Sequence, residues 1–472
     1  MLKRMTRIYL LAALGGCTAL PPIPPRPADH VPPAAWQGNT APTVAGPVST
    51  QLAPWWERLE DRRLDALQRQ ALETNVDALR KALSWRSALT QAKLSELGEQ
   101  PSPNLVLNTS TNRALDSGRT SVLVNGISIP LETATTSRSY GISAGLSYEW
   151  DLWSKLAQTT QGDRLEAEIR REDWVSARWL VSTNVAEAYW TIAAIDAKIP
   201  ILNELSDAAD EAVRIARVRL KEGRLRADEV DLTITKQYEI RKRISDARFD
   251  RGLKLNELAV LLDGEPPTLP IGEARLPAHL PPEPVLDTPA QTLERRPDIR
   301  QARLAVDAAL ARLYVAEASR YPALSMSLNL GTNGTHWRDW ISQPLASLGL
   351  NLAIPLIDWR RLDAKRDIAR NTLDDAALNL RTSVRQAISD VQNGLLERER
   401  WERRWEAAEV QRVEKQNMHS VAMVRQDVGV FGRLDVLHSR EGVLAAQIET
   451  IDLRLQAWLN LLKLYKALGG AV

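Results

Sequence analysis

The chain is poor in the residues that most catalytic and metal-binding sites require. Its 472 residues include one cysteine, so neither an intrachain disulfide nor a cysteine-rich zinc site can form. The five histidines lie far apart and never form a His-x-x-x-His pair, and no glycine-rich nucleotide-binding motif occurs. A net charge of +2 gives no basic excess for binding DNA or RNA. We therefore expect no enzymatic activity, no resident metal and no nucleic-acid partner.

The single cysteine, Cys17, follows a segment typical of a secretory signal. A basic start precedes an apolar run at 8–14, which is too short to span a bilayer. The run ends in Leu-Gly-Gly-Cys, which resembles the bacterial lipobox, although a cleaved signal with a chance cysteine would look similar. The resemblance implies a signal peptide at 1–16 and a covalent lipid on Cys17. We expect no other cofactor. Thr18 rather than Asp follows, which implies sorting to the outer membrane.

Proline divides the chain into two halves of similar length. Ten of the 26 prolines lie in residues 18–54 and eight more lie in 264–289. Such stretches are typical of extended, non-helical connectors. We predict a lipidated tether at 17–54, a first repeat at 55–263, a linker at 264–289 and a second repeat at 290–472.

The two halves present the same features in the same order. Each has a helix, a strand opened by proline, a second strand ending in an acidic–aromatic corner, a long helix, a glycine turn and a returning helix. The corner residue Asp358 lies 207 residues after Asp151, and the turn residue Gly429 lies 206 residues after Gly223. A nearly constant offset over so long a stretch indicates duplication of one unit.

Four segments alternate apolar residues with small polar ones. In 139–150 the even positions are aromatic or aliphatic, and the odd positions are Ser, Gly or Glu. This period of two favours the strands of an outer-membrane barrel, although a soluble antiparallel sheet packed on a core would show it too. A bilayer tolerates no open sheet edge, and known barrels need about eight strands or more. Several copies must therefore share one barrel. The predicted strands are 104–112, 139–150, 323–331 and 345–354.

The predicted helices are long. Residues 360–426 contain no proline, and a helix of that length would extend for about 100 Å. The returning helix repeats apolar residues every seven positions from Leu434 to Tyr465, with Glu441 as the one break. This seven-residue repeat favours coiled-coil packing over an ordinary core helix.

Two short motifs complete a family resemblance. Arg295-Arg296-Pro297-Asp298-Ile299 and Tyr321-Pro322-Ala323-Leu324-Ser325, together with the lipobox and the duplication, resemble the TolC-like outer membrane factors. The efflux outer-membrane lipoprotein subunits of the OprM and NodT type are the most similar branch. The resemblance implies a fold that is mainly α with a small β part, assembled as a homotrimer with a 12-stranded outer-membrane β-barrel and a periplasmic α-helical barrel.

The same resemblance implies the role and the partners. It points to the exit channel of a tripartite efflux system, in contact with outer-membrane lipid, a periplasmic adaptor protein and an inner-membrane pump of the RND type. Two alternatives remain open: the outer-membrane component of a type I protein secretion system, and a periplasmic lipoprotein adaptor or scaffold.

The functional residues implied by the resemblance lie at the two glycine turns. In this family, acidic residues six positions after the turn glycine line a periplasmic constriction, which here means Glu229 and Asp435. Three symmetric copies would make each a ring of carboxylates able to attract cations; solvated helix ends are the alternative. Where some relatives have a further acid, this chain has His438. The implied gate residues are Glu229, Asp435, Asp228, Asp231, Arg226 and Arg433, with the arginines as latches for the acids, and the implied adaptor contacts are Gly223, Val428, Gly429 and Val430.

Two further features carry weaker expectations. Gly141-Ile142-Ser143-Ala144-Gly145 matches the Gly-x-Ser-x-Gly elbow of hydrolases, but that motif requires a strand–turn–helix, and here it lies inside an alternating strand. Trp337 and Trp340 are candidates for an aromatic belt at the outer leaflet. The 113–138 segment is expected to be a long polar loop.

Overall fold

The computed structural model of the protein is mainly helical, with a small antiparallel β part. It describes residues 25–27, 55–113, 120–124, 127–131, 136–280, 288–336, 338 and 344–469. Cys17, the signal segment, Trp337 and Trp340 lie outside these residues. After a 3-10 helix at Trp55–Leu59, the helices are α1 (Arg62–Thr74), α2 (Val76–Gly98), α3 (Lys155–Lys221), α4 (Ala227–Leu261), α5 (Pro289–Arg295), α6 (Pro297–Ala318), α7 (Trp359–Asp427) and α8 (Arg433–Ala467).

The strands confirm the period-two prediction and add a hairpin. They are β1 (Ser102–Arg113), β2 (Thr120–Val124), β3 (Ile127–Leu131), β4 (Thr136–Trp150), β5 (Ala323–Gly334) and β6 (Pro344–Ala353). One antiparallel sheet has the order β1-β4-β5-β6, and β2 pairs with β3 in a separate hairpin. That hairpin lies within the segment expected to be a plain loop.

The duplication predicted from the spacing of Asp151 and Asp358 is visible in the lengths of the elements. The long helices α3 and α7 have 67 and 69 residues. The returning helices α4 and α8 have 35 residues each. Helix α3 continues through Pro200, which lies inside it. Each half therefore repeats the order helix, strand, strand, long helix and returning helix.

The chain forms two compact units, and each repeat contributes to both. Of the described residues, the first contains those within 86–167 and 304–377, which include the four-stranded sheet. The second contains the described residues 55–85, 168–280, 288–303 and 378–469, which include both helix-to-helix turns. The compact units therefore do not follow the repeat boundaries, because the long helices run from one unit into the other.

The second unit has an aromatic core. The Trp190 ring centroid lies 4.9 Å from that of Trp458 and 6.1 Å from that of Trp55. The linker predicted between the repeats is non-helical over 264–280 and packs on this core: Leu269 is buried, and the carbonyl of Pro277 accepts a hydrogen bond from Trp458. The apolar heptad positions of α8 from Leu437 to Leu462 are buried as predicted.

The Arg-Pro-Asp motif connects three helices through the side chain of its arginine. Pro297 begins α6, and the buried Arg296 just before it donates to the Asp298 carboxylate at 2.8 Å and to Asp390 on α7 at 3.2 Å. A further bond reaches the carbonyl of Ala467, the last residue of α8, at 2.9 Å. One guanidinium thus ties α6 to α7 and to the end of α8.

Candidate functional site

The two helix-to-helix turns have the same backbone geometry. Gly223 and Gly429 adopt φ angles of 70° and 73°, in the left-handed region that glycine enters without steric cost. In each turn the residue after the glycine donates its N–H back to a carbonyl five positions earlier, at 2.8 Å. This is the Schellman arrangement, which ends a helix and reverses the chain.

The acidic residues six positions after each glycine cap the returning helices. Glu229 accepts the backbone N–H of Arg226 at 3.1 Å, and Asp435 accepts that of Gly432 at 2.8 Å. Each carboxylate thereby satisfies one of the unpaired donors at a helix start and opposes the positive end of its dipole. Both side chains are exposed, so the second oxygen of each still faces solvent.

The arginines pair differently from the sequence-based expectation. Arg226 does pair with a predicted acid, donating from Nε to Asp228 at 2.9 Å. Arg433, however, does not bind Asp435. It makes a two-pronged ion pair with Glu211 on α3, at 2.9 and 3.0 Å, while Asp435 caps its own helix. Asp231 makes no ion pair with any described residue.

A second ion pair repeats this contact one heptad further along. The Nε of Arg440 donates to Glu204 at 2.6 Å, seven residues from the Arg433–Glu211 pair on both helices. We call these two pairs the α3–α8 clasp. Sequence reasoning missed Glu204 and Glu211, although their spacing of seven matched that of the two arginines.

The Arg433–Glu211 pair shifts the pKa values of both of its members. The hydrogen bond from Arg433 holds the pKa of Glu211 below its ordinary value, despite the opposing effect of partial burial, and the same bond raises the pKa of Arg433. His419 on α7 lies close by and shares a 2.9 Å hydrogen bond with Ser439 on α8. Burial, and the field of Arg440, lower the pKa of His419, while Glu204 acts in the opposite direction.

Glu441, the break in the α8 heptad, lines a cavity of about 250 Å³ between α3, α4 and α8. On α3 this cavity is bordered by Leu205 and by three alanines. Lys236 and His438 lie at the same cavity. Glu441 therefore borders a cavity that it shares with these two polar side chains, rather than a closely packed core position.

The turn tips themselves are open to solvent. Val428 and Val430, which flank Gly429, are 68% and 69% exposed. A side chain built on Gly223 or Gly429 would meet nothing within 4 Å. The residues predicted to contact an adaptor therefore form two protruding, uncovered turns within the described part of the chain.

The hydrolase-like motif lies inside β4, with no strand–turn–helix at Ser143. Its two glycines provide space between neighbouring strands instead of forming a turn. A Cβ on Gly145 would overlap the carboxamide oxygens of Asn104 and Asn329, its neighbours on β1 and β5. Gly141 is flanked in the same way by Asn108 and Asn333. The glycines leave room for asparagine side chains from both sides.

No metal-binding group of His, Cys, Asp and Glu exists among the described residues. Within the same residues, no helix combines the length and the hydrophobicity needed to cross a membrane.

Two copies of a helix, strand, strand, long helix and returning helix unit around one antiparallel sheet define the fold of TolC-like outer membrane channels. Solved structures agree. The open MtrE outer membrane channel of Neisseria gonorrhoeae matches with a TM-score of 0.79 at 22% identity, over 96% of this chain and 98% of that one. The CmeC outer membrane channel of Campylobacter jejuni matches with a TM-score of 0.78 at 19% identity, over 94% of each chain.

The family profile described as "Outer membrane efflux protein" matches residues 67–264 and 288–470, and the chain belongs to this family. The pyoverdine export outer membrane protein OpmQ of Pseudomonas aeruginosa is 26% identical over 99% of this chain and 97% of its own length. The toluene efflux pump outer membrane protein TtgC of Pseudomonas putida is 26% identical over 97% and 93%. The chain is thus an outer-membrane component of an efflux system, and its family and structural neighbours are channel proteins.

Proposed function

We propose that three copies of this chain form one exit duct, with a shared 12-stranded barrel in the outer membrane and a helical tunnel in the periplasm. The observation that carries the proposal is the state of the sheet edges. β1 and β6 are its outer strands, and every residue of both is exposed. Since unpaired backbone groups are not tolerated in a lipid core, four strands require neighbours.

The strand directions fit this assembly. Along β1-β4-β5-β6 every pairing is antiparallel, so β6 and β1 run in opposite directions. A second copy that placed its β1 beside β6 would therefore continue an antiparallel sheet. An even number of antiparallel strands is the usual composition of bacterial outer-membrane barrels.

The duct is the outer part of a tripartite efflux system, not an enzyme, with Cys17 as its lipid anchor. The tips at Gly223, Val428, Gly429 and Val430 contact a periplasmic adaptor, which connects the duct to an inner-membrane pump of the RND type. The names of OpmQ and TtgC, which refer to pyoverdine export and to toluene efflux, support this role. A type I protein secretion duct would share the same fold, and an adaptor or scaffold is less compatible with the duplicated sheet strands.

The gate consists of the carboxylates of Glu229 and Asp435, repeated three times around the axis, together with Asp228, Asp231, Arg226 and Arg433. Rings of like charge attract cations and repel one another. Because both carboxylates also cap helices, a test must remove charge without removing the cap. Asp435→Asn and Glu229→Gln do this, since each amide keeps an oxygen that can accept the backbone N–H.

We expect trimers carrying Asp435→Asn and Glu229→Gln to lose much of their cation selectivity in planar bilayers. The reversal potential in a salt gradient measures this loss. Asp77→Asn, which removes an exposed carboxylate on α2, serves as the control and should keep the wild-type selectivity. Unchanged selectivity in the double variant would contradict the carboxylate gate, and absence of any channel would contradict the duct.

A further inference from the structure

The end of the sheet at which β4 and β6 stop is rich in exposed apolar and aromatic side chains. Leu356 and Ile357, just after β6, are 76% and 96% exposed. Trp359, which begins α7, is 56% exposed, and the Arg360 guanidinium lies 5.5 Å from the centre of its ring. We call residues 354–361 the β6–α7 corner. So large an uncovered apolar group at one corner requires a partner.

Aromatic residues gather at this same end of the sheet. The rings of Tyr148 and Trp150 are 5.7 Å apart, and Trp150 lies opposite Leu324 in the register. The Trp153 ring lies 4.9 Å from that of Tyr321, and its N–H donates to the carbonyl of Pro322 at 2.7 Å. In a chain with only 5% aromatic residues, this concentration marks a distinct layer.

The apolar face of the sheet leads directly into the corner. On β4 that face has Tyr140 at one end, aliphatic residues in the middle, and Tyr148 and Trp150 at the other end. From Tyr140 to Trp150 the strand rises about 33 Å, which a usual barrel tilt reduces to about 25 Å. That is about the height of the apolar band of an outer-membrane barrel, which is bordered by aromatic girdles.

The charges of the corner fit lipid headgroups better than a second copy of the chain. Arg361 is paired with Asp358 at 2.6 Å, whereas Arg360 makes no ion pair with any described residue. A Trp beside a free arginine is typical of the membrane interface, where the ring stays among headgroups and the long cation extends towards phosphates.

We propose that the β6–α7 corner lies in the lipid interface, with Leu356, Ile357 and Trp359 among the upper acyl chains and Arg360 bound to a headgroup phosphate. This inference rests on the proposed barrel. It fixes the level at which the membrane ends on the chain, at the end of the sheet from which α3 and α7 leave.

Spin labels at three exposed positions test the depth in reconstituted vesicles. Single cysteines replace Ile357 in the corner, Leu348 on the apolar face of β6, and Val428 at a helix turn. The wild-type chain, treated with the same label, gives the signal that arises from Cys17 alone. Accessibility to oxygen and to a water-soluble nickel chelate gives the depth of each label. We expect Leu348→Cys in hydrocarbon, Ile357→Cys at the interface and Val428→Cys in water.

The possible outcomes distinguish the proposal for the β6–α7 corner from the proposal of a shared barrel. In the first outcome, the label at 348 lies in hydrocarbon while the label at 357 is as accessible to the nickel chelate as the label at 428. That result would overturn the corner proposal and leave the barrel proposal intact. A label at 357 that is immobile and reached by neither reagent would assign the corner to a second copy of the chain. A label at 348 in water would overturn the barrel itself.

A matched arginine pair tests the phosphate contact. Phosphatidylglycerol vesicles should raise the melting temperature of the assembled protein above its value in phosphatidylcholine. Arg360→Gln should remove most of that gain in melting temperature. Arg361→Gln should keep the gain, because Arg361 is paired with Asp358 in the wild-type chain. Free inorganic phosphate should not produce the gain in place of the lipid. An Arg360→Gln protein with the full gain would refute the headgroup site.

Discussion

At the scale of single residues, the polar face of the sheet depends on the size of its residues as much as on their polarity. Gly141 and Gly145 each lie between two asparagines on neighbouring strands. At Gly145 an added Cβ would meet only the ends of flexible Asn side chains. At Gly141 it would also lie 3.0 Å from the backbone carbonyl of Thr332, which cannot rotate away.

This difference predicts the order of two substitutions. Gly145→Ala should lower the free energy of unfolding only slightly, because the asparagines can change rotamer, whereas Gly141→Ala should cost about 1–3 kcal/mol as an overpacked site. Thermal unfolding of the assembled protein measures both. Gly252→Ala on α4, where a Cβ meets nothing, is the control and should be neutral or slightly stabilising. Equal losses for both strand variants would contradict this account.

At the scale of the elements, the α3–α8 clasp joins the N-terminal part of α8 to α3 through two ion pairs. Both sides of the Arg433–Glu211 pair are partly exposed, so the pair contributes about 1 kcal/mol or less. Such a weak contact can hold a helix end without preventing its release. It therefore suits a position beside the proposed gate.

Glu211→Gln should weaken this contact and raise the single-channel conductance, while the melting temperature changes little. Glu166→Gln is the control, because Glu166 pairs with Arg312 at the same 27% side-chain exposure but in the other unit. The pKa of Glu211 lies below its ordinary value, so the stabilisation is fully present above the unfolded pKa. It is lost only as the pH falls through the lowered, folded pKa.

Wild-type conductance should accordingly stay constant on mild acidification and rise only below the usual pKa of a glutamate, about 4.3. The Glu211→Gln channel should lack that part of the rise. A variant with wild-type conductance across the whole range would show that the clasp does not control the opening.

The turn tips give a second prediction at this scale. Val428→Asp and Val430→Asp place charge on the exposed tip without disturbing the left-handed glycine between them. We expect normal channels in bilayers but loss of drug resistance in cells, because an apolar adaptor contact is removed. Val410→Asp, at a valine on α7 that is 65% exposed, is the control. Full resistance with both tip variants would exclude this surface as the adaptor contact.

At the scale of the whole molecule, adjacent residues of β6 should respond oppositely to the same charge. Leu348 is on the apolar face and Ser347 is on the polar face. A lysine on the lipid face of a barrel costs about 2–4 kcal/mol at the midplane, and in the proposed trimer this cost would arise in each copy. Leu348→Lys should therefore abolish membrane assembly.

Ser347→Lys should still assemble and shift the channel towards anions, since its side chain would face water. Heat-modifiable trimers in membrane fractions report assembly, and reversal potentials report selectivity. Equal assembly of both lysine variants would mean that the apolar face does not meet lipid.

Much of the fold could be predicted because it follows from local periodicity. The strand alternation around 139–150, the unbroken 360–426 helix and the α8 heptad each depend on residues close in sequence. The pairing of Arg433 could not be predicted from the same signals. Asp435 is near in sequence and carries the right charge, but its geometry suits the cap, and Glu211 lies 222 residues away.

The sequence by itself determined the duplication, the element order and the two-faced strands, since these depend on spacing and hydrophobic period. It also determined family membership, through the combination of motifs. Only the tertiary structure decided which partners Arg296, Arg433 and the sheet glycines have, and that aromatic residues from three separate segments meet at one end of the sheet. Such contacts join residues far apart in the chain, and their geometry is set by packing, which no local pattern encodes.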